Sequence, residues 1–167
     1  MAEVHDLSYG FVPVRRTAEG LEFLVVRNRR NRHYFFPKGH KKKYEGSVDA
    51  AVREMWEESG CVPVAVWSAG SWTSHVDAAT VVYREQYLYT RRDGRVTDKT
   101  CIYYLAQVEL RGDIQDKGEI SEIRWLPVTE ASADVFTFET KRTDFLSLVL
   151  PKSTLAPLRH SQTDLSR

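Results

Sequence analysis

A chain of 167 residues with 42% hydrophobic and 28% charged residues has the size and composition of one soluble globular domain with a real core. No stretch approaches the roughly 20 apolar residues of a membrane span, and the opening MAEVHDLSYG lacks the basic-then-apolar pattern of a secretory leader. Net charge is only +1, and the two cysteines, Cys61 and Cys101, have no metal-type spacing, so they are expected as free thiols in a cytoplasmic protein, with the nucleus a second option.

In chain order, residues 8–16 (SYGFVPVRR) predict a first strand, with Phe11, Val12 and Val14 apolar. Residues 17–20 (TAEG) form a turn, and 21–26 (LEFLVV) a second strand rich in buried types. From Arg27 to Lys43 lie eight of the 24 basic residues and none of the 23 acidic ones, so the rest of the chain is net acidic. Such a concentration draws a polyanion. Residues 34–36 (YFF) make a short strand leading into Pro37-Lys38-Gly39-His40.

A helix follows, with Ser47 as the expected N-cap. Val48, Ala51, Val52, Met55 and Trp56 recur at helical spacing and predict the packed face. Glu54, Glu57 and Glu58 share another face. Gly60 ends the helix. Three like charges on one face repel, and the economical reason to crowd them is a hard divalent cation such as Mg²⁺; the plain alternative is a charged surface helix.

Past the helix, residues 62–67 read as a strand and 69–77 as a less regular segment. Residues 80–90 make a long strand with Tyr83, Tyr87 and Tyr89 on one face, 91–94 (RRDG) a hairpin turn, and 99–110 its partner. Residues 112–118 are a polar loop, 122–126 a last strand ending at Pro127, and 137–150 an amphipathic helix. Residues 151–167 have weak periodicity and are expected to be a partly disordered tail behind a single domain over 1–150.

The stretch Gly39-x5-Glu45-x7-Arg53-Glu54-Met55-x-Glu57-Glu58-x-Gly60-Cys61 resembles the Nudix box at every polar and glycine position. Cys61 stands where Ile, Leu or Val is usual. Membership implies an α/β/α sandwich with a mixed sheet, and hydrolysis of a nucleoside diphosphate linked to another group. Pro37-Lys38-Gly39-His40, the strand KTCIYYLA from Lys99 to Ala106, EISEIRW from Glu119 to Trp125, and Phe138-Glu139-x-Lys141 resemble the asymmetrical diadenosine tetraphosphate hydrolases. One departure stands out. Those enzymes carry an acidic, proline-bearing turn where this chain has Lys41-Lys42-Lys43-Tyr44, which keeps the diphosphoinositol polyphosphate phosphohydrolases open as an alternative. An RNA 5′-end hydrolase and a non-catalytic nucleotide sensor are weaker readings, the latter because the box is intact.

The resemblance implies that Glu54, Glu57 and Glu58 ligate Mg²⁺, for which Mn²⁺ can substitute, with the Gly39 carbonyl and Glu119 as further ligands. Arg53 is expected to orient Glu57 through a bidentate pair, and Glu45 to hold the loop or reach an outer-sphere water. Glu58 or Glu119 is expected to serve as the base. Lys38, His40, Lys41, Lys42, Lys43 and Lys99 are the candidate phosphate contacts. Tyr87, Tyr104 and Phe138 are candidates to stack an adenine, each with a core role as its alternative. The expected partner is a small-molecule polyphosphate, a dinucleoside polyphosphate or an inositol pyrophosphate. Neither a membrane nor a nucleic acid is expected.

Overall fold

Unbroken apolar runs and one amphipathic helix decide the layering. In the computed structural model, which describes residues 4–127, strand β1 (Val4–Thr17) turns back as β2 (Gly20–Asn28), in register from Val14↔Phe23 to Thr17↔Gly20. Alternate residues of β2 enter different cores. Phe23 and Val25 join Val12, Val14, Tyr103 and Leu105, while Leu24 and Val26 join Phe11, Met55 and Tyr104. A strand buried on both faces needs apolar residues at every position, which is why Phe23 to Val26 show no alternation.

The remaining elements are β3 (Tyr34–Phe35), β4 (Lys38–His40), α1 (Ser47–Ser59), β5 (Cys61–Ser68), β6 (Ser71–Thr73), a 3-10 turn over Val76–Ala78, β7 (Val81–Thr90), β8 (Val96–Leu110) and β9 (Ile120–Pro127). The main path of the sheet runs β3-β2-β1-β8-β5-β6, with β4 on β1, β7 on β8 and β9 on β2. β1 and β8 are parallel from Val4↔Thr97 to Val14↔Gln107, and every other described pairing is antiparallel, so the sheet is mixed. One α-helix covers it among the described residues. This is an α/β architecture with a mixed sheet, as the sequence implied.

α1 packs through Ala51 and Met55, both 0% exposed. Burying Met55 contributes about 2 kcal/mol. The helix begins differently from the expectation. Gly46 is the N-cap and makes no side-chain cap bond. Ser47 is the first helical residue instead, and its hydroxyl lies beside the phenol of Tyr104. At the other end Gly60 adopts φ 73°, and a Cβ there would lie 2.1 Å from the carbonyl oxygen of Gly112. Both the left-handed backbone and the close approach require glycine. Gly60→Ala is therefore expected to lower stability by about 2 kcal/mol, read as a falling urea midpoint at constant slope; an unchanged midpoint would mean that the turn relaxes freely.

β1 starts four residues earlier than the apolar pattern indicates, because the polar segment from Val4 to Leu7 pairs with the β8 main chain, where side-chain polarity does not matter. Both cysteines are buried free thiols. No described helix is long and apolar enough to cross a membrane. The expected helix over 137–150, the tail 151–167, the boundary between them and Phe138 lie outside the described residues.

Candidate active site

β4 and α1 bring the glycine loop to the carboxylates. β4 runs antiparallel to β1 (Ser8↔His40, Tyr9↔Gly39, Gly10↔Lys38) and passes over the helix face that carries Glu54. The approach is so close that a Cβ on Gly39 would lie 2.1 Å from Glu54 Cδ. A side chain at that position would displace the carboxylate.

Arg53 ties the loop to the helix. Its Nε donates to Glu45 Oε1 at 2.7 Å and its Nη2 to Glu45 Oε2 at 3.0 Å. Nη2 also donates to the His40 carbonyl at 2.9 Å, while Nη1 reaches Glu54 Oε1 at 2.9 Å and Glu57 Oε2 at 3.2 Å. The bidentate partner is thus Glu45, not Glu57 as the sequence suggested. An i,i+4 neighbour meets the guanidinium edge-on, whereas Glu45 faces both ends of the fork. Glu45 Oε2 also accepts from the Lys42 amide at 2.8 Å, so it holds the loop. The Arg53 hydrogen bonds keep the Glu45 carboxyl down at about 2.

Glu58 is 1% exposed. Its Oε1 accepts from the Lys38 amide at 3.0 Å, and its Oε2 is buried without a hydrogen-bond partner. Burial pushes its carboxyl well above the usual range against the pull of Lys38, with Glu119 and Glu54 adding repulsion. Glu54 is shifted up as well, first by burial, with Arg53 opposing and Glu57 and Glu119 adding to it. Glu119 arrives on the loop before β9. The amides of Gln115 and Asp116 both donate to the Glu57 carbonyl at 2.8 Å, docking that loop on the end of α1. Arg29 clamps it from the far side. Its amide donates to the Glu119 carbonyl at 2.7 Å and its Nε to the Lys117 carbonyl at 2.9 Å. The Glu119 carboxylate itself makes no hydrogen bond or ion pair among the described residues.

A pocket of about 330 Å³ opens between these elements, lined by Ser8, Lys38, Gly39, His40, Lys41, Lys42, Arg53, Glu54, Lys99 and Glu119. A larger depression of about 530 Å³ lies across Glu119, walled by loop residues such as Asn28, Arg30 and Asp116; of the α1 carboxylates, Glu54 lines the smaller one. Basic side chains share its lining. Lys38 Nζ sits 4.7 Å from the centre of the Phe35 ring. Lys99 is buried, which together with Lys38 lowers its pKa, while Asp6 opposes the fall.

Some expected contacts fall elsewhere. Tyr104 is 6% exposed and packs 5.8 Å from Phe11 in the core beneath α1, so it has no free face for a base. Lys43 reaches over the exposed Tyr44 ring rather than into the pocket. Tyr87 is partly buried and pairs in register with Lys99, so both project from the same face of the sheet. Asp6 and Ser8 went unread in the sequence, and Arg29 was read only as part of the basic run. Each has a partner about 90 residues away, and no local pattern marks these pairings.

Among the described residues no three His, Cys, Asp or Glu side chains form a ready-made cation cage; Glu54 and Glu57 close on Arg53 instead. Two observations nevertheless fit the donor set to a hard divalent ion. The partnerless Glu58 Oε2 is costly without a ligand, and Gly39 leaves open the space that its Cβ would fill beside Glu54.

Comparison with known proteins adds the lineage. The model of the NUDIX domain matches residues 5–148. None of the curated proteins matches the sequence. Among solved structures, a MutT NUDIX hydrolase from Burkholderia pseudomallei is similar at TM-score 0.58 and 15% identity, over 88% of this chain and 99% of that one. An Ap4A hydrolase from C. elegans, in a binary complex, is similar at TM-score 0.54 and 20% identity, over 87% and 97%. A NUDIX hydrolase from Nitrosomonas europaea matches at TM-score 0.55 and 15% identity, over 89% and 90%. At these identities the likeness is one of fold.

Proposed function

The chain belongs to the NUDIX domain family, and from that premise we propose that it is a divalent-cation-dependent hydrolase that splits diadenosine tetraphosphate asymmetrically into ATP and AMP. The observation that supports this reading is one pocket whose lining holds Glu54 and Glu119 together with Lys38, His40, Lys41, Lys42 and Lys99, with the buried Glu58 bonded to the Lys38 amide. A phosphoanhydride chain needs both kinds of group, one to hold the cation that its charge attracts and one to orient its oxygens.

In this reading Glu54, Glu57, Glu58, Glu119 and the Gly39 carbonyl hold Mg²⁺, and Arg53 keeps Glu54 and Glu57 in place. A bound divalent cation supplies Lewis acidity toward the phosphoryl oxygens and makes a water acidic enough to attack. Lys38 and Lys99 orient the polyphosphate and offset its charge. Glu58 and Glu119 are the groups proposed to take the proton, since each keeps an uncommitted carboxylate oxygen. Tyr87, beside Lys99, is the described aromatic proposed to stack an adenine. The PKGH and KTCIYYLA segments support the substrate.

A second reading, inositol pyrophosphate, is favoured by Lys41-Lys42-Lys43, a cationic turn at the pocket edge. Incubating the protein with each substrate in Mg²⁺ and separating the products decides between them. ATP with AMP from the dinucleotide supports the first. Two ADP, or turnover of the inositol pyrophosphate alone, overturns it, and full activity in excess chelator overturns the metal dependence.

A further inference from the structure

Two of the basic residues that line the pocket, Lys99 and His40, share one buried carboxylate. Asp6, in β1, has a side chain 8% exposed, and both of its oxygens are engaged. Oδ1 meets His40 Nε2. Oδ2 meets Lys99 Nζ at 3.1 Å and accepts from the Tyr89 hydroxyl at 3.2 Å. Lys99, itself 7% exposed, spends a second N–H on Ser8 Oγ at 2.5 Å. An ammonium has three donors, so one remains for a ligand in the pocket that Lys99 lines. Three strands converge here. β1 supplies Asp6 and Ser8, β7 supplies Tyr89 and β8 supplies Lys99, and Asp6 also meets His40 of β4.

We propose that Asp6 is a positioning residue for polyphosphate binding: it holds Lys99 and His40 in the pocket wall as pre-oriented donors and acts on substrate only through them. The inference rests on the polyphosphate reading above.

Two effects of removing Asp6 have opposite signs. Deleting a negative charge beside a polyanion site favours anion binding. Against that, Lys99 is buried next to Lys38 and loses its ion-pair partner, so it gives up its charge or its orientation. The second effect wins, because Lys99 lines the pocket and Asp6 does not, and because a charged hydrogen bond held in place outweighs a through-space repulsion.

The test uses sodium tripolyphosphate as the probe, titrated calorimetrically into the full chain, with KM and kcat measured in parallel. Asp6→Asn is isosteric and is expected to weaken tripolyphosphate binding and raise KM by roughly tenfold, with kcat within about twofold. Asp6→Glu is expected to recover part of the loss. In a Lys99→Met background, Asp6→Asn is expected to cost no more than about twofold, the share that passes through His40. Unchanged or tighter binding in folded Asp6→Asn overturns the proposal, as does a full tenfold loss in the Lys99→Met background. If the wild-type chain binds no tripolyphosphate, the functional reading falls and takes this one with it; if wild type and Asp6→Asn bind equally well, only the role of Asp6 falls.

Discussion

Glu58→Gln is expected to lower kcat at least about a hundredfold while leaving the thermal midpoint unchanged or higher. The two halves of this expectation come from different atoms. Oε1 accepts from the Lys38 amide, and a glutamine oxygen does the same. Oε2 is buried and has no partner. Replacing it with a neutral amide removes a charge that burial already disfavours, so stability does not suffer. What is lost is the anionic oxygen proposed to serve the metal ion and the attacking water. A catalytic group differs from a structural one in this way, since its loss disables the protein without unfolding it. Kinetics in Mg²⁺ and a melting curve on the same preparation check both halves. A wild-type rate in folded Glu58→Gln would remove Glu58 from the machinery.

Arg53→Ala is expected to do the reverse and damage stability and rate together. One guanidinium bonds Glu45 twice and His40, Glu54 and Glu57 once each. Removing it leaves three half-buried carboxylates facing one another with no cation between them. A loss of about 2–4 kcal/mol is expected, along with at least about a hundredfold in kcat, because the glycine loop and Glu54 lose their shared anchor. Arg53→Lys separates the contributions. It restores the charge without the fork, so most of the stability is expected to return and little of the rate. If Arg53→Lys regained the full rate, charge alone would suffice and the geometry described above would be incidental.

The helix and its carboxylates were legible because everything that specifies them is local. Apolar residues at helical spacing marked the buried face, and Gly60 marked the end. The same local reasoning erred at Ser47, where tertiary contact with Tyr104 replaced the cap and Gly46 took its place. Tyr104 was left open between stacking and core for a related reason. In a strand buried on both faces, alternation does not say which side is solvent, and β8 carries core residues at 103, 104, 105 and 106. Asp6 and Arg29 were illegible in principle from local pattern. Each is an ordinary polar residue whose partner is brought to it only by the topology of the sheet. The Arg53–Glu45 pairing lies between these cases, since the eight-residue separation was visible but the geometry of the loop was not.

The parallel pairing of β1 with β8 fixes when the protein becomes competent as well as what shape it takes. Val4 through Val14 find their partners only at Thr97 through Gln107. On the ribosome, β1, β2 and the carboxylate helix emerge long before that strand exists, and the first hairpin can close at once. The middle of the sheet cannot, because β1 waits for about ninety residues of intervening chain. Closing so long a loop is entropically slow, and topologies of this kind fold in milliseconds to seconds rather than microseconds. The wait also orders assembly. Until β8 docks, Lys99 is not beside Ser8, and Glu119, later still in the chain, has not reached the pocket, so a nascent chain that already carries the helix carboxylates and Lys38 has only part of that pocket's lining.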